Sequence, residues 1–295
     1  MRSSLLAIAV GLSVAGFANN AFGADVTPEP EPVLLNDIYA EAFGNYTELG
    51  DDFGTEDDKF WAAGAGIYWS IPLGDTMSLQ LDGNGEVTEN DGEDEDTTDY
   101  EYSVGGAAHL SYRDPQSFLV GIFGGLSNAA GGENGDTTAY FIGGEGQLYV
   151  DQATFYVQGG YLDGEGDDFD EQILNDTYFV RGQLRYYLTE NFRAAVEGAY
   201  AVGQVDQEDN TDIYDWGGEL EYKFDDAPIS VFASYEGTFM DQTPGEEDKL
   251  SEDVYTVGLR LDFGATTIIE RDRQGAGLDT PRIGRWQGEA GGPLE

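Results

Sequence analysis

Along most of this chain apolar and polar residues alternate one by one, in runs joined pairwise by tight turns and set apart from the next pair by longer acidic stretches. The clearest pair runs from Thr177 to Leu188 and from Phe192 to Gln204 across Thr189, Glu190 and Asn191. Within it Tyr178, Val180, Leu184, Tyr186 and Leu188 share one face, and Arg181, Gln183 and Arg185 share the other. A period of two marks a strand with unlike faces, one suited to lipid and one to water. The pattern predicts an all-β fold, a transmembrane antiparallel up-and-down β-barrel.

Twelve strands are predicted, over Asp37 to Glu48, Lys59 to Leu73, Met77 to Thr88, Tyr100 to Arg113, Ser117 to Ser127, Thr137 to Val150, Ala153 to Asp163, Asp176 to Leu188, Phe192 to Gln204, Asp212 to Phe224, Ile229 to Met240 and Val254 to Gly264. The connections after the second, fourth, sixth, eighth and tenth are short, and the other six are longer and acidic. Outer-membrane barrels keep short turns on the periplasmic side and long loops outside, so an even strand number puts both termini in the periplasm.

Basic residues test the phase more sharply than hydropathy does, because a lipid-facing Arg or Lys at the midplane costs about 2–4 kcal/mol. Arg113, Arg181, Arg185, Arg193, Lys223 and Arg260 all fall on the polar phase of their strands. A slip of one residue would turn all six toward lipid. Aromatic residues gather near strand ends, Trp69, Tyr112, Phe118, Tyr186, Tyr222 and Phe263 at the turn ends and Tyr46, Trp61, Tyr102, Tyr140, Trp216 and Tyr255 at the loop ends, which predicts two interfacial girdles.

Residues 1–23 read as a secretory signal peptide, with Arg2, the apolar run Leu5 to Ala18 and small residues through Gly23. An acidic, proline-rich lead-in covers 24–36, the barrel 37–264 and a tail 265–295. The whole chain carries 58 acidic and 13 basic residues, a net charge of −45, and no cysteine. That balance excludes nucleic acid as a partner. Without disulfides, a closed barrel is what leaves no sheet edge open. Three acidic stretches, Glu89 to Asp99, Glu165 to Asp176 and Asp206 to Asp212, lack the glycine and terminal glutamate of a calcium loop, so they read as solvated and no metal site is assigned.

The last strand carries a resemblance. Thr256, Gly258, Leu261 and Phe263, a polar residue, a glycine two later and alternating apolar positions ending in an aromatic, are similar to the assembly signal on the final strand of Gram-negative outer-membrane proteins. With the leader and the strand pattern, the chain resembles porin-like outer-membrane proteins from about residue 37 to 264. The resemblance implies recognition by the barrel-assembly machinery, and residence in outer-membrane lipid beside lipopolysaccharide. It departs from the family pattern after the aromatic, where typical members stop and this chain continues with Arg271, Arg273, Arg282 and Arg285 among glycines and prolines. Three readings of the continuation stand: a disordered periplasmic tail, a plug that folds into the lumen against its carboxylates, or a segment that binds the cell wall or a periplasmic partner.

Twelve strands about 4.8 Å apart at a tilt of about 40° enclose a backbone diameter of about 24 Å. Small inward residues, among them Gly64, Gly125, Gly143, Ala199 and Gly217, lead us to expect a water-filled passage, narrowed by Tyr39, Phe43, Leu119, Phe123, Tyr156 and Phe232. Glu145, Glu197, Glu219, Glu221 and Glu236 share that lumen with the six basic residues, and rings of charge set ion preference. Arg181, Arg185, Arg193 and Arg260 on one wall facing carboxylates would set a transverse field. The single histidine, His109, lies on the same face as Ser111. Outer-membrane phospholipases pair these residue types facing lipid and with a motif this chain lacks, so no catalysis and no cofactor are expected. The predicted activity is passive diffusion of ions and small hydrophilic solutes with cation preference. The rival is a closed structural or adhesion barrel. A homo-oligomer is open, with Leu79, Leu81, Val120 and Ile122 as an apolar outward patch.

Overall fold

The computed structural model describes residues 33–50, 59–91, 98–130, 136–166, 174–205, 209–241 and 249–281. The predicted leader, most of the lead-in and much of each acidic connection lie outside them. Twelve strands form: β1 (Asp37–Leu49), β2 (Lys59–Pro72), β3 (Met77–Asp91), β4 (Thr98–Asp114), β5 (Phe118–Ala130), β6 (Asp136–Val150), β7 (Ala153–Gly166), β8 (Leu174–Thr189), β9 (Phe192–Val205), β10 (Asp209–Lys223), β11 (Ile229–Asp241) and β12 (Lys249–Asp262). Each is antiparallel to its sequence neighbours, and β1 pairs with β12 to close the sheet into a barrel. A short helix, α1 (Ile268–Gln274), follows.

Every predicted strand is present, but most run further toward the loop end than the apolar pattern does. β12 starts at Lys249 rather than Val254, and β3 continues to Asp91 rather than Thr88. Backbone pairing does not require apolar side chains. A strand of 15 residues such as β3, rising about 3.3 Å per residue at a tilt of about 40°, spans about 38 Å, whereas the apolar band is about 25 Å tall. The acidic ends therefore extend the ladder past the band.

The outward face is apolar and aromatic. Trp61, Tyr102, Tyr140, Tyr178, Trp216 and Tyr255 are exposed at the loop end, and Trp69, Tyr112, Phe118, Tyr186, Tyr222 and Phe263 at the turn end. Neighbouring rings touch around the loop end, Tyr46 with both Trp61 and Tyr255, and Tyr235 with Tyr255. At the turn end Tyr222 touches Phe192 and Phe224. Val157 stands in the outward band between the girdles. Val157→Arg should cost about 2–4 kcal/mol against reversible unfolding in lipid vesicles. An unchanged unfolding midpoint would mean this face does not meet lipid.

Candidate functional site

The lumen has three layers. Toward the loop end it is apolar, where Phe123, Phe141, Phe179, Leu162, Leu174, Ile213 and Met240 form one buried cluster. Several inward glycines here are covered by rings, which narrows the passage. Phe123 covers Gly143, Phe141 covers Gly125 and Phe179 covers Gly160, so closely that a Cβ on each glycine would strike the ring; Phe43 and Phe232 cover Gly64 and Gly258 in the same way. Small residues on one strand thus seat bulky rings from the next.

The middle layer is charged, and its cations are paired where they stand. Arg260 bonds Glu41 at 2.9 Å, Glu219 at 2.9 Å and Glu221 at 2.8 Å. Arg193 joins the same group through Glu219 and, at 3.0 Å, Glu221. Arg181 pairs instead with Glu197, and Lys223 with Asp262 at 2.6 Å. Arg193 and Arg260 thus share Glu219 and Glu221, while Arg181 and Arg185 share Asp279. Glu236 accepts from the Ser234 hydroxyl at 3.3 Å. His109 sits between Glu145 at 2.9 Å and Asp82 at 3.1 Å, while Ser111 bonds Ser78 rather than the histidine. Tyr156 donates to Glu145 at 2.6 Å.

The third layer, at the turn end, holds residues 265–281. After Phe263, whose side chain points outward and is 66% exposed, the chain turns at Gly264, where a Cβ would sit 2.6 Å from an Asp37 oxygen. Thr267 caps α1 by accepting from the Glu270 N–H at 3.1 Å, and Glu270 reaches back to Thr266 at 2.7 Å. The buried Asp37 carboxylate clamps the chain on both sides of α1, accepting from the N–H groups of Ala265 at 2.8 Å and Ala276 at 3.0 Å. Ile268 and Leu278 are fully buried.

Inward side chains from eight strands hold this segment. Besides Asp37 of β1, Gln80 and Asp82 of β3 bond Leu278 and Thr280, Arg113 of β4 donates to the Gly275 carbonyl at 2.7 Å, and Gln147 of β6 donates to the Gly277 carbonyl at 3.1 Å. On β7, Thr154 bonds Asp272 at 2.7 Å and Gln158 donates to the Asp279 carbonyl at 2.7 Å. Arg185 of β8, only 1% exposed, pairs with Asp272 through Nη1 and with Asp279 through Nη2 at 2.7 Å. Arg271 pairs with Glu221 of β10 at 2.6 Å and Asp262 of β12 at 2.8 Å. Asp37, Gln80, Gln147 and Thr154 were not singled out from sequence, because their role is set by partners 118 to 239 residues further along the chain.

The assembly-signal residues split by face. Thr256 donates to Asn45 in the lumen at 2.8 Å, Gly258 seats the Phe232 ring, and Leu261 and Phe263 are exposed outward.

Burial alone would raise the Asp272 carboxyl, but the Arg185 guanidinium and the Thr154 hydroxyl hold it below its usual value; Asp279 is likewise held down by Arg185 and Arg181. A depressed carboxylate contributes docking energy that is complete above its free value of about 3.9 and fades as pH falls toward the depressed one. Protection of residues 265–281 from protease should therefore be flat from pH 8 to 5 and fall only below about pH 4. Loss of protection near neutral pH would show that other groups control docking.

No family model matches the sequence, and no curated protein does. Among solved structures, an outer-membrane channel of Pseudomonas putida F1 is 13% identical, with 82% of this chain and 100% of that one covered at a TM-score of 0.55. The CymD monoaromatic hydrocarbon channel is 10% identical, covers 78% of this chain and 90% of its own, and has a TM-score of 0.50. At these identities the likeness is one of architecture. The chain has the fold of the outer-membrane β-barrel channels.

Proposed function

We propose that this chain is an outer-membrane channel for small solutes whose bore is closed at the turn end by its own residues 265–281 and opens when they withdraw. The observation that carries the reading is the held segment itself. A lumen whose side chains from eight strands bond a separable stretch of chain is built to receive something. The porin-like resemblance, the outward aromatic girdles and the channel fold support the membrane setting. In this reading the short turns and both termini face the periplasm, the assembly machinery reads Thr256 to Phe263, and lipid and lipopolysaccharide surround the outward face.

The test is single-channel recording in a planar bilayer of the full-length mature protein and of a chain ending at Phe263. In the open state, simple salts should show cation preference, because carboxylates outnumber basic residues 58 to 13 and crowd the loop connections. A reversal potential in a potassium chloride gradient measures this, and anion preference would refute it.

One observation favours the rival of a permanently closed structural or adhesion barrel: the depth at which Arg185, Asp272 and Ile268 are buried. Silence of both proteins in the bilayer would decide for it.

A further inference from the structure

The segment that closes the lumen leaves an uneven set of partners behind when it is removed in thought. Glu221 keeps Arg260 at 2.8 Å and Arg193 at 3.0 Å, Asp262 keeps Lys223 at 2.6 Å, and Arg181 keeps Glu197. Among the described residues, Arg185 and Arg113 keep no carboxylate. Arg185 retains the Gln183 side-chain oxygen and the Tyr156 ring, having given up Asp272, Asp279 and the Gly277 carbonyl. Arg113 is fully buried, its Nη1 is satisfied only by the Gly275 carbonyl, and its Nε and Nη2 have no partner even with the segment in place.

We infer that Arg185, Arg181 and Arg113 form a binding site for small organic carboxylates, which Asp272 and Asp279 occupy from within the chain in the closed state. The chemistry is that of a guanidinium fork: Nη1 of Arg185 takes one carboxylate and Nη2 a second, at 2.7 Å, which Arg181 shares at 3.2 Å. Two carboxylates on one guanidinium fit a dicarboxylate. Neutral donors complete the site, since Thr154 bonds the first carboxylate at 2.7 Å and the Gln147 amide loses its acceptor when the segment leaves.

Asp279 is the point of exchange. Its side chain is 32% exposed, whereas Asp272 and Arg185 are 1% exposed, so a solute in the lumen meets the arginines first where Asp279 holds them. The acidic connections repel anions at long range, but that repulsion is screened within about 8–10 Å at physiological salt, while the guanidinium contacts are short. A carboxylate that displaces Asp279 and then Asp272 competes directly with the docked state. The inference rests on the closed-channel reading in that the occupant exchanges only if the segment withdraws.

The test uses the full-length wild-type protein in lipid vesicles with succinate as probe, and succinamide and chloride at matched ionic strength as controls. The readout is trypsin cleavage after Arg271 and Arg273, followed by mass spectrometry, Arg271 being only 4% exposed while docked. Succinate should speed cleavage saturably, by about tenfold for a modest preference for the released state, and the controls should not. In Asp279→Asn the same acceleration should need less succinate. Equal effects of succinate and chloride would overturn the inference. Conductance of the same samples separates the two readings. Succinate-driven cleavage without conductance keeps the carboxylate site and sinks the channel, whereas openings on truncation with no succinate effect keep the channel and sink the site.

Discussion

A chain ending at Phe263 should conduct steadily in a planar bilayer while the full-length protein stays closed, a difference in mean current of about tenfold or more, because one short helix is enough to fill the bore. The twelve-stranded wall has a backbone diameter of about 24 Å, and inward side chains of about 5 Å on each side leave about 14 Å. An α-helix with its side chains is about 10–12 Å across. Residues 265–281 therefore occupy the turn-end opening almost completely, and what remains is bridged by Gln80, Arg113, Gln147 and Arg185. Truncation at Phe263 leaves the assembly-signal residues Thr256 to Phe263 at the very end of the chain, where typical members of the resembled family carry them, so barrel formation should survive. Heat-modifiable migration in gels checks that the shortened barrel has folded. Equal currents from the two proteins would show that the segment does not obstruct the path, and would return it to a structural role.

The barrel was legible because its constraint is local and repeated. In β8, Tyr178, Val180, Leu184, Tyr186 and Leu188 face out and Arg181, Gln183 and Arg185 face in, and each strand states the same rule again. Strand ends were not legible to the same degree, since past the apolar band the ladder continues through Asp91 and Lys249, whose polarity reads as loop. The lumen was legible only in part, where pairs of strands matter jointly. Gly143 alone suggests space, and only the register that sets Gly143 opposite Phe123 shows the space filled.

The tail was the least legible part, and the reason is again range. Its ion pairs join Asp272 to Arg185 and Arg271 to Glu221, separations of 87 and 50 residues, which no periodicity reports. A local signal was nonetheless present. Thr267 with Glu270 three residues later is a helix-start pattern, and Gly275 is a stop, which together mark an ordered element where glycines and prolines suggest disorder. Asp37 carried no signal of its own, although it binds the chain on both sides of α1, because an acidic residue opening a strand is unremarkable until the chain returns to it.

Arg185→Leu should open the full-length protein, and the double variant Arg185→Leu with Asp272→Leu should close it again. The single change leaves Asp272 buried at 1% exposure without its cation, a condition that costs about 3–5 kcal/mol where a buried pair is broken from one side. In the closed-channel reading residues 265–281 can leave, so the cost appears as undocking rather than as unfolding of the barrel, and it shifts the docking equilibrium by a factor of about 140 to 3,700 at about 1.4 kcal/mol per tenfold. Replacing both members by apolar side chains removes the desolvated charge, and such replacements are often neutral or stabilising. Asp272→Leu alone should cost less than Arg185→Leu, since Arg185 keeps Asp279 at 2.7 Å. Open probability in the bilayer gives the four corners of the cycle, and the coupling should exceed about 1 kcal/mol for groups in direct contact. In the chain ending at Phe263 there is no Asp272 to strand, so Arg185→Leu should leave barrel unfolding nearly unchanged. If that shortened variant instead unfolds as readily as the full-length one opens, Arg185 supports the barrel wall itself and the pair with Asp272 is not what holds the lumen shut.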